Sequence, residues 1–205
     1  MRRLVTCAAL SLAVAGMSAP AAAAIHIFST PLSPEVPGAT GSGLVTVTFD
    51  TTLDTLEITA SWSGLTGVTT VAHIHCCVAP PGFVGVAVTP GTLPGFPMGV
   101  DAGSYAVVLD LDDPATYTTA FRNANGFTPS GAAAGLLAGI QRGEAYFNIH
   151  SDRFRGGEIR GFLAPVPEPG AWAMLIAGFG AIGSVMRRRT ASASERRQAR
   201  PAPAG

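Results

Sequence analysis

The sequence contains no lysine, and few of its residues carry a charge. All 13 basic residues are arginine, 13 residues are acidic, and charged residues make up only 13% of the 205-residue chain. Residues 25–164 hold five arginines and eleven acidic residues, a net charge of 5 − 11 = −6, because the other arginines lie near the two ends. Phosphate repels an acidic region, so the charge pattern argues against a nucleic-acid partner.

Motifs for enzyme catalysis are also missing from residues 25–164. No serine-nucleophile motif, phosphate-binding loop or pair of catalytic carboxylates stands out. We therefore expect no catalytic residue, and we expect the protein to act by binding or as a structural module.

The first 24 residues have the three parts of a secretory signal peptide. Arg2 and Arg3 precede an apolar run at residues 4–17, and small residues follow up to Ala24. This order predicts export, with cleavage by signal peptidase after Ala24.

The chain after residue 164 has the features of a second targeting segment. An apolar stretch at residues 171–186 is followed by Arg187, Arg188 and Arg189. A short apolar stretch with a basic flank predicts a transmembrane helix whose arginine end lies in the cytoplasm. Residues 190–205 are predicted to be a disordered basic tail.

This segment, residues 165–189, resembles the PEP-CTERM sorting signal of Gram-negative bacteria. The resemblance rests on Pro167-Glu168-Pro169, Trp172 and the arginine cluster. It implies an inner-membrane intermediate, cleavage near the Pro-Glu-Pro by an exosortase-type protease, and transfer to the outer surface or extracellular matrix. Exopolysaccharide and matrix proteins are the partners implied there.

The central region, residues 25–164, has the periodicity of β-strands. Residues rich in β-branched and aromatic side chains alternate with Gly- and Pro-rich gaps. Two short helices are also predicted, at residues 114–123 with Asp113 as N-cap, and at residues 131–141. The pattern favours an all-β domain, a single antiparallel sandwich or barrel of the immunoglobulin-like or superoxide-dismutase-like type. The predicted strands lie at 44–49, 56–62, 71–75, 104–111, 144–150 and 158–163.

The order of motifs in this region resembles the CHRD domain, named after chordin. The matching segments are residues 32–37, 62–67, 72–75, 146–150 and 156–163. The resemblance implies a secreted β-domain and supplies no enzymatic activity. One departure is Cys76-Cys77, which stands where such domains usually have Gly-Pro.

Three histidines are candidate metal ligands. His73 and His75 share one face of a strand, and His150 lies on the face of another strand opposite Phe147 and Ile149. All three are expected to point outward, where a facial set of imidazoles suits copper or zinc. The His-x-His pair is similar to that of copper/zinc superoxide dismutase, so a metal-binding, dismutase-like domain is the alternative to a non-enzymatic module. The alternative is that these histidines only form hydrogen bonds that fix nearby loops.

Cys76 and Cys77 remain after signal-peptide removal, and three states are open to them. They can form a strained vicinal disulfide, stay reduced with Cys77 as a further metal ligand, or pair between molecules. We favour the vicinal disulfide, because two exposed thiols do not stay reduced outside the cell.

Overall fold

The computed structural model describes residues 24–166, 176–179 and 182. The rest of the predicted signal peptide lies outside these residues, as do Pro167-Glu168-Pro169, Trp172, the arginine cluster and the tail. Residues 24–166 contain nine strands and two α-helices, and residues 176–179 are also helical. They are β1 (Ile25–Pro34), β2 (Ser42–Asp50), β3 (Thr55–Ser63), β4 (Thr69–Cys76), β5 (Val86–Val88), β6 (Gly103–Asp110), α1 (Thr119–Ala124), α2 (Pro129–Gln141), β7 (Ala145–Ser151), β8 (Ile159–Phe162) and β9 (Ala164–Pro165).

The strands form one curled antiparallel sheet. Their order is β5-β4-β7-β8-β1-β2-β3-β6, and β9 pairs with β1. The long strand β1 joins the two halves, because Ile25 to Leu32 pair with β2 whereas Ser33 and Pro34 pair with β8. The predicted all-β class with short helices is therefore confirmed, and β1, β5 and β9 are strands that the sequence analysis did not identify.

Strict alternation of apolar and polar residues places the core on one side of β2 and β3. Val45, Val47 and Phe49 are buried, as are Leu56 and Ile58 on the facing strand. The register pairs Val47 with Ile58, so these side chains lie side by side on the same face of the sheet. A shift of one residue would move the whole apolar set to solvent, so the alternation specifies this register.

The first predicted helix, at residues 114–123, is wrong as a continuous element. Asp113 caps only a short 3-10 turn, Pro114–Thr116, and Tyr117 is extended before Thr118 caps α1. The break has a tertiary cause: Tyr117 is buried, bridges to Val88, and donates its hydroxyl hydrogen to Leu111 O. The second predicted helix is confirmed as α2, which begins two residues earlier than expected with Thr128 as its N-cap.

A buried carboxylate ties the start of β4 to the chain just before β8. Glu158 is fully buried and accepts hydrogen bonds from the backbone amides of Thr66 and Gly67. Two amides that donate to one carboxylate fix the turn before β4. This turn leads β4 into its pairing with β7, which carries the candidate site.

In the described residues, no helix is both long and apolar enough to cross a membrane.

Candidate metal centre

Strands β4 and β7 place four polar side chains in a compact array. His73 lies directly opposite Asn148, His75 opposite Tyr146, and Val71 opposite His150. Because side chains alternate along each strand, His73 and His75 share a face with Asn148 and His150. The intervening residues of both strands are fully buried in the core on the other face; they are Ala72, Ile74, Phe147 and Ile149.

The histidines point outward from the core as expected, but they are not exposed to solvent. His73, His75 and His150 expose only 7%, 8% and 9% of their surface. They do lie on the face opposite the core, but loops between strands cover that face and hydrogen-bond to the rings. The loops have no hydrophobic periodicity, so their position over the sheet could not be read from strand alternation.

Each imidazole is held by a backbone carbonyl. A carbonyl only accepts, so the ring nitrogen that faces it carries the hydrogen. The other nitrogen of each neutral ring then has a free lone pair. The three bonds are His73 Nε2 to Gly91 O (2.9 Å), His75 Nδ1 to Val84 O (2.7 Å) and His150 Nδ1 to Arg155 O (2.7 Å).

The three remaining nitrogens converge. One ligand atom from each histidine lies within 4.8 Å of the others. His73 Nδ1 lies 3.4 Å from His150 Nε2, and His75 Nε2 is buried with no hydrogen-bond partner. Two nitrogens that each bind an ion at 2.0–2.1 Å with tetrahedral geometry are about 3.3 Å apart. The observed separation of His73 and His150 therefore fits shared coordination of one ion.

Burial keeps these rings neutral. Loss of hydration lowers the pKa of His73, His75 and His150, and lowers that of His73 to about 4. The backbone carbonyls oppose the shift, while neighbouring histidines add to it for His73 and His75. A neutral imidazole is the form that binds a metal, so the site is competent at neutral pH.

A comparison of the sequence with protein-family models identifies the family of the β-domain. The CHRD domain model matches residues 28–163. This chain belongs to the CHRD domain family. The earlier resemblance is confirmed, and it covers every residue of the histidine cluster.

A second family model, the PEP-CTERM protein-sorting motif, matches residues 165–189. The CHRD protein is therefore an exported, exosortase-processed protein that is sorted to the cell surface. The CHRD domain is not a known enzyme family. No curated protein and no solved structure matches the chain.

The cysteines of this CHRD domain lie apart from the histidine cluster. Cys76 and Cys77 are joined by a disulfide in the structure. Cys77 Sγ lies 3.9 Å from the carbonyl oxygen of Gly135 on α2, and the ligand cluster contains His73, His75 and His150 without Cys77. The structure thus does not bring Cys77 to the other proposed ligands.

Sequence reasoning missed two polar residues beside the cluster. Asn148 and Glu35 have buried side chains, each about 1% exposed. Burial raises the pKa of Glu35, while the Arg160 guanidinium at 3.6 Å and the amide of Asn148 act in the opposite direction. The alternation of β7 placed Asn148 on the histidine face, but nothing in the sequence indicated that Glu35, at the end of β1, reaches the same place.

Proposed function

We propose that this CHRD domain is a metal-binding module of the cell surface that holds one copper or zinc ion on His73, His75 and His150. The observation that carries the proposal is the convergence of three unprotonated ring nitrogens, each fixed by a carbonyl on its opposite side. Metal-binding histidines in proteins typically donate their second N–H in this way.

The donor set favours copper and zinc over other common ions. Calcium and magnesium prefer oxygen ligands, whereas neutral imidazoles suit copper and zinc. Three histidines leave at least one coordination position for another ligand. The net charge of −6 on residues 25–164 also favours the approach of cations from the medium.

This assignment specifies what a non-enzymatic binding module would bind. The purely structural alternative assigns the histidines to loop fixing, and their carbonyl hydrogen bonds would serve that role as well. It does not account for His75 Nε2, which is buried without a partner, or for the approach of two acceptor nitrogens. Association with exopolysaccharide or matrix proteins stays a separate prediction.

Metal retention by the exported protein tests the proposal. Protein purified from cells, stripped with chelator, loaded with Cu(II) or Zn(II) and dialysed should keep about one equivalent. The variant His75→Ala should keep less than half an equivalent, whereas the matched control His26→Ala, on β1 and outside the cluster, should behave like wild type.

Two results would contradict metal binding: wild type that keeps less than half an equivalent, or His75→Ala that keeps as much as wild type. A superoxide assay on the loaded protein distinguishes two uses of the ion. Metal without turnover supports binding or buffering, and turnover supports a dismutase-like activity instead.

A further inference from the structure

Asn148 is buried beside the three histidines and has an unpaired oxygen. It lies opposite His73 and two residues before His150 on the same face of β7. Directly opposed residues on antiparallel strands have Cβ atoms about 4.5–5.5 Å apart. Its Oδ1 atom makes no hydrogen bond. A buried acceptor without a partner costs free energy, so this oxygen requires an explanation.

Glu35 accounts for the direction in which the amide points. A Cβ atom built on Gly157 would lie 2.0 Å from Glu35 Oε2 and 3.0 Å from Asn148 Nδ2, so the carboxyl and the amide nitrogen flank the same small space. Both carboxylate oxygens of Glu35 are buried without a hydrogen-bond partner, and an ionised carboxylate can only accept, so it favours the amide orientation that directs Nδ2 toward it. The Oδ1 atom is then directed away from Glu35.

The other side of the amide is occupied by His75. His75 is the diagonal neighbour of Asn148 on the same face of the sheet, within reach of its side chain, and the His75 Nε2 atom has no hydrogen-bond partner. Since His75 Nδ1 donates to Val84 O, Nε2 carries no hydrogen, and both this nitrogen and Asn148 Oδ1 are acceptors. A cation bound between these two buried acceptors would satisfy both of them.

We infer that Asn148 Oδ1 is a fourth protein ligand of the metal proposed above, and that Glu35 is a positioning residue that orients it. This inference rests on the proposed function. The site then has three nitrogen donors and one oxygen donor. A carbonyl-type oxygen suits Cu(II) and Zn(II) better than Cu(I), which prefers softer ligands. Asn148 thus makes the site selective for divalent ions.

Substitutions at Asn148 test the inference in the exported full-length protein. Asn148→Leu keeps a similar volume without a donor atom, and Asn148→Asp keeps an oxygen. We expect Asn148→Leu to bind Zn(II) and Cu(II) about 10–100-fold more weakly than wild type, with Cu(I) affinity changed by less than about threefold. Asn148→Asp should restore divalent binding, and circular dichroism should show that both variants fold.

The electron paramagnetic resonance spectrum of bound Cu(II) reports the atoms that bind the ion. It would not change if Asn148 had only a structural role. Loss of an oxygen donor in Asn148→Leu should change the g and hyperfine values, and Asn148→Asp should return them toward wild type. Glu35→Leu should shift the spectrum in the same direction as Asn148→Leu. Glu35→Gln, which keeps an acceptor oxygen beside Nδ2, should keep the wild-type spectrum.

The outcomes separate the two proposals. If wild type binds no metal, the proposed function itself fails. If wild type binds one ion and Asn148→Leu binds it with the same affinity and spectrum, only the role of Asn148 is overturned. That result would assign the amide the opposite orientation, with Nδ2 donating to His75 Nε2.

Discussion

The Nδ1 atom of His73 lies 3.4 Å from the Nε2 atom of His150, and neither atom carries a hydrogen in the neutral rings. The other nitrogen of each ring donates to a backbone carbonyl, so neither ring can rotate away without losing a hydrogen bond. The contact brings two lone pairs together, and a metal ion or a proton between them would relieve their repulsion.

The metal-free protein should lose stability as the pH falls from about 6.5 to about 4. Burial lowers the pKa of His73 to about 4, whereas a histidine of the unfolded chain titrates near 6.5. Between these values the unfolded chain binds a proton that the folded protein does not, so acid favours unfolding. The free energy of unfolding can fall by up to about 1.4 kcal/mol per pH unit for each such histidine.

Urea unfolding with chelator present, repeated across this pH range, measures the effect. His73→Gln, whose side-chain amide can still donate to Gly91 O, should show a shallower dependence on pH. If the free energy of unfolding depended on pH equally in this variant and in wild type, the lowered pKa of His73 would not be the cause of the acid sensitivity.

Arg160 should hold the loop that covers His75. Its guanidinium donates to Pro81 O (2.8 Å) and Gly82 O (3.1 Å) and lies 4.1 Å from the ring centre of Phe83. Arg160→Lys removes the planar group and its paired donors, and hydrogen bonds from charged groups contribute about 1.5–3 kcal/mol each. The variant should therefore exchange the backbone amides of residues 82–86 at least tenfold faster.

Hydrogen exchange read by mass spectrometry checks this expectation. Arg142→Lys is the matched control, because Arg142 forms an ion pair with Glu144 at a solvent-exposed position. Unchanged exchange in Arg160→Lys would show that other contacts hold the loop. Weaker metal retention should accompany faster exchange, since Val84 of this loop accepts the hydrogen bond from His75.

Gly139 on α2 should be required for packing against the disulfide. A Cβ atom at this position would lie 2.3 Å from the sulfur atoms of both Cys76 and Cys77. Overpacking lowers the free energy of unfolding by about 1–3 kcal/mol, whereas the higher helix propensity of alanine raises it by about 1 kcal/mol. Gly139→Ala should thus destabilise the protein by about 1 kcal/mol in urea unfolding.

Gly85→Ala is the control, because a Cβ atom there meets nothing within 4 Å. The cost of Gly139→Ala should shrink in a Cys76→Ser, Cys77→Ser background, where the sulfur atoms are gone. If the cost were the same in both backgrounds, the disulfide would not be what Gly139 accommodates.

The vicinal disulfide can be tested by alkylation of the exported protein without reductant. If Cys76 and Cys77 are joined as in the structure, a monomer should gain no label. After reduction it should gain two labels. Two labels before reduction would indicate free thiols, and a disulfide-linked dimer mass would indicate pairing between molecules.

The mature protein should lack both terminal segments. Cleavage after Ala24 and near Pro167-Glu168-Pro169 predicts an intact mass that excludes residues 1–24 and 171–205. Protein recovered from the cell surface that still contains Trp172 would contradict this processing.

Strand alternation predicted much of this domain from sequence. The segments at 44–49, 56–62 and 71–75 lie within β2, β3 and β4, and the segment at 104–111 extends one residue beyond the end of β6. The same alternation brought His73, His75 and His150 to one side of the sheet opposite the core. These are local consequences of a two-residue period, so they need no knowledge of the tertiary structure.

What the sequence could not reveal depends on contacts between distant segments. Glu35 reaches Asn148 only because the end of β1 pairs with β8. The predicted helix breaks at Tyr117 because burial of that side chain outweighs local helix propensity. The burial of the histidines likewise depends on irregular loops whose course no periodicity encodes.

The anchors of the histidine cluster are main-chain oxygens contributed by Val84, Gly91 and Arg155. Every amino acid supplies such an oxygen, so the side chains of Val84 and Arg155 can change while the loop paths are kept, whereas the φ of +82° at Gly91 favours glycine. Homologous sites with the same geometry would then share the spaced histidines and this glycine more than the other loop residues. Sequence identity in the loops is accordingly a poor guide to whether another member of the family retains this arrangement.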